Sequence, residues 1–143
     1  MWEILEKIKN YLLKMDFTNL SNFTEKNVVL GVVDLSRYEN DIIVSVIPDE
    51  EQDAEESFLD GQGINLSFTI TVLCRGKKQE ILIKNICEYS RQICNILRED
   101  CTLGGIVDNL KLEKRKYFLD AGPTSEQMTA VEIPLTVLYE EIF

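Results

Sequence analysis

Apolar positions three and four residues apart open the chain. Trp2, Leu5, Ile8, Leu12 and Met15 fall on one stripe, which predicts an amphipathic helix over residues 2–15. Residues 16–26 turn polar, with Asn19, Ser21, Asn22 and Thr24, and read as the loop that ends it. Two β-branched runs, 28–33 and 42–47, predict strands separated by residues 36–41. Pro48 is expected to stop the second. Behind it Asp49, Glu50, Glu51, Asp53, Glu55 and Glu56 place six carboxylates in eight residues, enough self-repulsion to predict a mobile loop.

Alternation becomes regular beyond Gly61 and Gly63. Ile64, Leu66, Phe68, Ile70, Val72 and Cys74 share one face while Asn65, Ser67, Thr69 and Thr71 take the other, so a strand is expected up to the turn composition of Arg75, Gly76, Lys77 and Lys78. Residues 79–100 return to helical spacing. Leu82, Ile86, Tyr89, Ile93 and Leu97 form one line with Ile83, Cys87 and Cys94 beside it, a face wide enough to imply packing on a sheet. Gly104 and Gly105 supply the exit from that helix. Two long strands, 106–119 and 128–140, are then joined through residues 120–127 into a hairpin. In its second arm Val131, Ile133, Leu135, Val137 and Tyr139 point one way. Pro134 points the other and must forfeit a ladder hydrogen bond, so an edge strand or a bulge is expected there. With no internal repeat and no dividing linker, the pattern predicts one α+β domain over residues 1–143. Its expected architecture is a mostly antiparallel sheet of about four to five strands packed against two helices, with a long C-terminal hairpin.

Composition narrows the partners. At 143 residues and 45% hydrophobic content the chain can bury a core without staples. Its 25 acidic against 15 basic side chains give a net charge of −10, which repels a phosphate backbone over most of the surface and disfavours nucleic acid as a primary ligand. The start, Met1, Trp2, Glu3 and then Glu6 among lysines, shows no secretion signal, and no apolar run approaches the roughly 18 residues needed to cross a bilayer. The protein is expected to stay in the cytosol or in something assembled there. Cys87, Cys94 and Cys101 recur every seven residues. On a helix that is about 10.5 Å of rise, too far for a disulfide or a shared metal ion, so these thiols and Cys74 are expected to act as small hydrophobes on a packed edge.

Catalytic chemistry finds little to work with. Histidine is absent, which removes Ser-His-Asp and Cys-His pairs. The carboxylate pairs Asp49 with Glu51 and Glu55 with Glu56 sit in the most solvated stretch, where nothing separates their pKa values, and the run lacks the order and central glycine of a calcium loop. Gly61-Gln62-Gly63 and Arg75-Gly76-Lys77-Lys78 lack the full phosphate-loop pattern and read as turns. Lys111, Lys114, Arg115 and Lys116 beside Tyr117 and Phe118 read as a solvated strand face in preference to a nucleic-acid grip. No catalytic, cofactor-binding or metal-ligating residue is assigned. What the charges do suggest is head-to-tail contact between copies of the chain, with Asp49, Glu50, Glu51, Asp53, Glu55 and Glu56 meeting Arg75, Lys77 and Lys78 or Lys111, Lys114, Arg115 and Lys116 across a subunit interface.

The order helix, strands, acidic stretch, strand, helix, Gly104-Gly105 and long hairpin resembles the tail-terminator, or tail-completion, proteins of long-tailed bacteriophages. The resemblance runs from the helix at Trp2 to the strand ending near Tyr139, and it rests on pattern and length. It implies a homomeric ring, commonly six-fold, that caps the finished tail tube and meets the head-side connector, in a virion assembled in the bacterial cytoplasm. It brings no cofactor and no catalytic residues. If the ring encloses a DNA path, the acidic balance suits a lumen past which phosphate slides. The rival readings are a protein-binding or regulatory module outside phages and a small enzyme using carboxylates or Cys74.

Overall fold

The computed structural model describes residues 2–14, 27–31, 42–58, 61–120 and 127–142. Helix α1 (Trp2–Leu13) leads to the short strand β1 (Val28–Leu30) and the long strands β2 (Ile42–Phe58) and β3 (Gly61–Gly76). Helix α2 (Gln79–Glu99) follows, then β4 (Asn109–Leu112), β5 (Lys116–Asp120) and β6 (Gln127–Ile142). The sheet runs β1-β2-β3-β6-β4, and β5 pairs with β6 as well. Only β1 and β2 pair in parallel; every other pairing among the described strands is antiparallel. This is the α+β arrangement that the alternation and the helical spacing predict.

The two periodicities meet in one core. Leu66, Phe68, Ile70, Val72 and Cys74 of β3, with Val131, Ile133, Leu135 and Val137 of β6, are buried against Ile4, Leu5, Ile8 and Leu12 of α1 and Leu82, Ile86, Tyr89, Ile93 and Leu97 of α2. Each such side chain taken from water contributes about 1.5–3 kcal/mol, the largest single driving force in the fold. Residues between them, Ser67, Thr69 and Thr71 among them, face away from the helices. The end of β3 lies close under α2: a Cβ on Gly76 would come within 3.0 Å of the Leu82 side chain, so glycine permits that approach.

Four expectations need correction. The acidic run is strand, not loop: β2 continues past Pro48 to Phe58, paired with β3 through Phe58 opposite Gly61. Register shifts between Pro48 and Glu50 and between Asp53 and Ser57 admit extra residues. Pro48 is tolerated because of where its missing donor would point. The Val46 carbonyl accepts from the Gly31 amide, so it faces β1, and Pro48, two residues on, faces the same side after β1 has ended. Repulsion among the acids is relieved by the strand itself, which sends alternate carboxylates to opposite faces.

Secondly, the strand expected over residues 106–119 is two strands. Leu112 pairs with Leu135 and Lys116 with Glu132, so four steps on one side answer three on the other. The break falls at Pro134, whose carbonyl accepts from the Glu113 amide at 2.8 Å and whose own nitrogen offers nothing to that neighbour. The bulge expected at Pro134 is therefore present, in the partner strand. Thirdly, Trp2 does not join the α1 stripe; it is exposed, and Ile4 is buried in the core instead. Fourthly, the α2 face is narrower than its sequence suggests, because Ile83 and Cys87 are exposed while Cys94 is buried. The expected strand at 28–33 ends at Leu30, with Gly31 following at φ 138°. Met15, the loop at 16–26, residues 32–41 and the turn at 121–126 lie outside the described residues.

Candidate functional site

Two outer edges of the sheet, as the described strands form it, carry most of the charged residues that the sequence singles out. On one side is the distal half of β2. Asp49, Glu50, Glu51 and Asp53 are all exposed there. Asp49 Oδ2 accepts from the Thr69 hydroxyl at 2.6 Å, and Glu51 Oε1 accepts from the Tyr139 hydroxyl at 2.7 Å. Both bonds tie the outermost strand to the strands behind it. The Gln62 amide donates to the Ala54 carbonyl at 3.0 Å and bridges β2 to β3 beside the second bulge. Glu55 and Glu56 belong to β2, but their side chains lie outside the described residues.

On the opposite side stand β4 and β5. Lys111, Lys114 and Lys116 are exposed, and Arg115 is half-buried with its guanidinium donating to the Glu113 carbonyl at 3.4 Å. Lys111 pairs with Thr136, which pairs with Ser67, which pairs with Glu50. The two charged edges are thus in one row of the sheet but three strand spacings apart, roughly 14 Å. Within one molecule the structure does not bring them together.

Arg75, Lys77 and Lys78 lie elsewhere, at the far end of β3 beside the start of α2. With Ile42, Cys74, Gly76, Ile81, Leu82, Asn85 and Tyr89 they line an open cleft of about 390 Å³. Its floor is apolar and its rim cationic. Burial, with the neighbouring Cys74, pushes the Tyr89 phenol up to about 12, so it stays neutral at physiological pH. Cys74 is buried in the wall of the cleft. Among the described residues, no three Cys, Asp or Glu side chains are grouped to hold a metal ion, and no helix is long and apolar enough to cross a membrane.

Sequence reasoning underread one feature and missed a second. Tyr117, Phe118 and Leu119 on β5 are 52%, 47% and 56% exposed, with Phe118 on the face opposite the other two and the Tyr117 hydroxyl donating to Ser90 of α2 at 3.2 Å. The sequence set Tyr117 and Phe118 beside the basic run but read them only as part of a solvated strand face. The second is Asp100, just past α2. Its carboxylate accepts from the Thr102 amide and hydroxyl at 3.1 and 2.7 Å, from the Gly104 amide at 2.8 Å and from the Tyr11 hydroxyl at 2.9 Å. These bonds lock the exit loop to α1, and they hold the Asp100 carboxyl well below the usual carboxylate range.

No protein-family model and no curated protein sequence matches the chain. Among solved structures, a chain in the virion of a native gene transfer agent particle aligns with a TM-score of 0.52 and 14% sequence identity, over 93% of this chain and 92% of that one. At that identity the likeness is one of fold: this chain has the fold of a component of a gene transfer agent virion, along nearly the whole length of both.

Proposed function

We propose that the chain is a structural protein of a phage-like particle, a homomeric ring that ends the tail tube and joins it to the head connector. The observation that carries the reading is the near-complete correspondence of its fold with a chain of a gene transfer agent virion. Two sheet edges of opposite charge support the ring, because a surface that complements a different surface on the same molecule builds head-to-tail assemblies, which form rings where the rotation between neighbours closes. The excess of 25 acidic over 15 basic residues fits a lumen through which DNA passes without sticking. On this reading the chain does no catalysis. Its partners are copies of itself, the tail-tube protein and the connector.

Antibody labelling of purified particles tests the station. Gold is expected at the head–tail junction, and deletion of the gene is expected to leave heads and tails that do not join. Label elsewhere on the particle, or joined particles in the deletion strain, contradicts the proposed role. A protein-binding module outside phages would label no particle at all.

A further inference from the structure

We infer that successive copies join edge to edge, with the acidic half of β2 in one copy lying antiparallel to the β4–β5 edge of the next. The inference rests on the ring reading above and names the surfaces that close it.

Three observations converge. The first is the open backbone. β1 covers β2 only at Val44, Ser45 and Val46, and β4 and β5 pair only with β6 among the described strands. Among the described residues, each edge therefore presents over about a dozen positions a row of amides and carbonyls that no other strand pairs, the groups that strand addition satisfies. The second is direction. β2 and β6 both run antiparallel to β3, and β4 and β5 run antiparallel to β6. A rotation about an axis along the strands thus brings the next copy's β2 antiparallel to β4 and β5, as a sheet continued around a ring requires. The third is charge. Charged side chains also serve to keep an edge free, but that purpose is met best by one sign on both edges. Here one edge is acidic and the other basic, so they attract.

The register follows from the rows. Counted along β6, Glu50, Glu51 and Asp53 stand level with Thr136, Val137 and Tyr139, while Lys111 and Lys116 stand level with Thr136 and Glu132. Without a shift, β1 of the incoming copy would fall on the rows of Lys116 and Tyr117, so the copies must be staggered along the strands until β1 passes the end of β5 at Asp120. That takes about six residues, roughly 20 Å. At that stagger β2 from Glu50 to Phe58 runs alongside the edge from Phe118 back to Lys111. A constant shift between neighbours is the shear that any closed sheet of tilted strands must have.

Two reversed proteins test this. One carries Asp49→Lys, Glu50→Lys, Glu51→Lys and Asp53→Lys; the other carries Lys111→Glu, Lys114→Glu, Arg115→Glu and Lys116→Glu. Mass is read by light scattering at low salt, with circular dichroism to show that each folds. Each alone has two edges of one sign and is expected to run as a 16.5 kDa monomer, at least tenfold weaker in self-association than the parent. Mixed one to one, they are expected to assemble in alternation. A parent that assembles while either reversed protein keeps the parental mass, or while the mixture stays monomeric, overturns the edge pairing and leaves the ring. A parent that is monomeric at every concentration overturns the ring reading and the pairing with it. Should a reversed protein fail to fold, the parent decides: its assembly is expected to weaken at least tenfold between 0.05 and 0.5 M salt as screening shortens, and an assembly indifferent to salt overturns the pairing.

Discussion

Asp100 shows how a single side chain can hold two helices in place. Four donors converge on its carboxylate, one of them Tyr11 on α1. In the unfolded chain its pKa returns to about 3.9, so the native state prefers the charged form and stability depends on pH. Because the folded pKa is lowered, the contribution is complete above pH 4 and is lost as pH falls through the native value. Asp100→Asn is accordingly expected to lower the melting temperature at pH 7 and to bring the two proteins' curves together as the pH drops below about 4, read by thermal scans across pH. Equal melting temperatures at pH 7 would show that the bonds contribute nothing net. None of this was legible in the sequence, since Asp100 and Tyr11 are 89 positions apart. The thiols were partly legible. Cys74 and Cys94 are buried as their neighbours suggest, whereas Cys87 is exposed because its side of α2 turns from the sheet. A thiol reagent is expected to label Cys87 first, Cys101 more slowly, and Cys74 and Cys94 only on unfolding; mass spectrometry of the labelled peptides gives the order.

Among elements, β3 and β6 were read correctly because their alternation is unbroken and both pack one face on the helices. Phe68, fully buried at the centre of β3, is the most sensitive point of that packing. Phe68→Ala is expected to cost about 3–5 kcal/mol in urea unfolding, the lost transfer energy plus an unfilled cavity; a cost under about 1 kcal/mol would place that side chain outside the core. β2 was misread for a physical reason. Composition reports how strongly residues 49–56 prefer water, but not that a strand with one neighbour among the described strands lets the side chains of residues 49–53 have it. Pro48 looked like a stop because its missing amide was assumed to face a partner, and it faces none among the described residues. The same proline logic succeeded at Pro134, where the forfeited bond does coincide with a break. The distal half of β2, which pairs with one neighbour among the described strands, should open more easily than its base. Hydrogen exchange of the free protein is expected to be at least tenfold faster at residues 50–58 than at 43–47, and the difference should shrink in the assembled state.

For the whole molecule, charge is distributed by edge: acids along distal β2, bases along β4 and β5, and a second cationic group around the cleft at Arg75, Lys77 and Lys78. The sequence supplied both basic segments as candidate partners for the acidic one. The 111–116 segment lies level with the acids across the sheet, and in the proposed ring it is the one a rotated neighbour would meet. The 75–78 segment lies at the other end of the strands. In the proposed function, assembly is the business of the molecule. That claim is tested most directly by electron microscopy of the purified wild-type protein at low salt, with particle mass measured on the same sample. Closed rings of several 16.5 kDa copies are the predicted result. A field of single 16.5 kDa particles, unchanged by concentration, would contradict it.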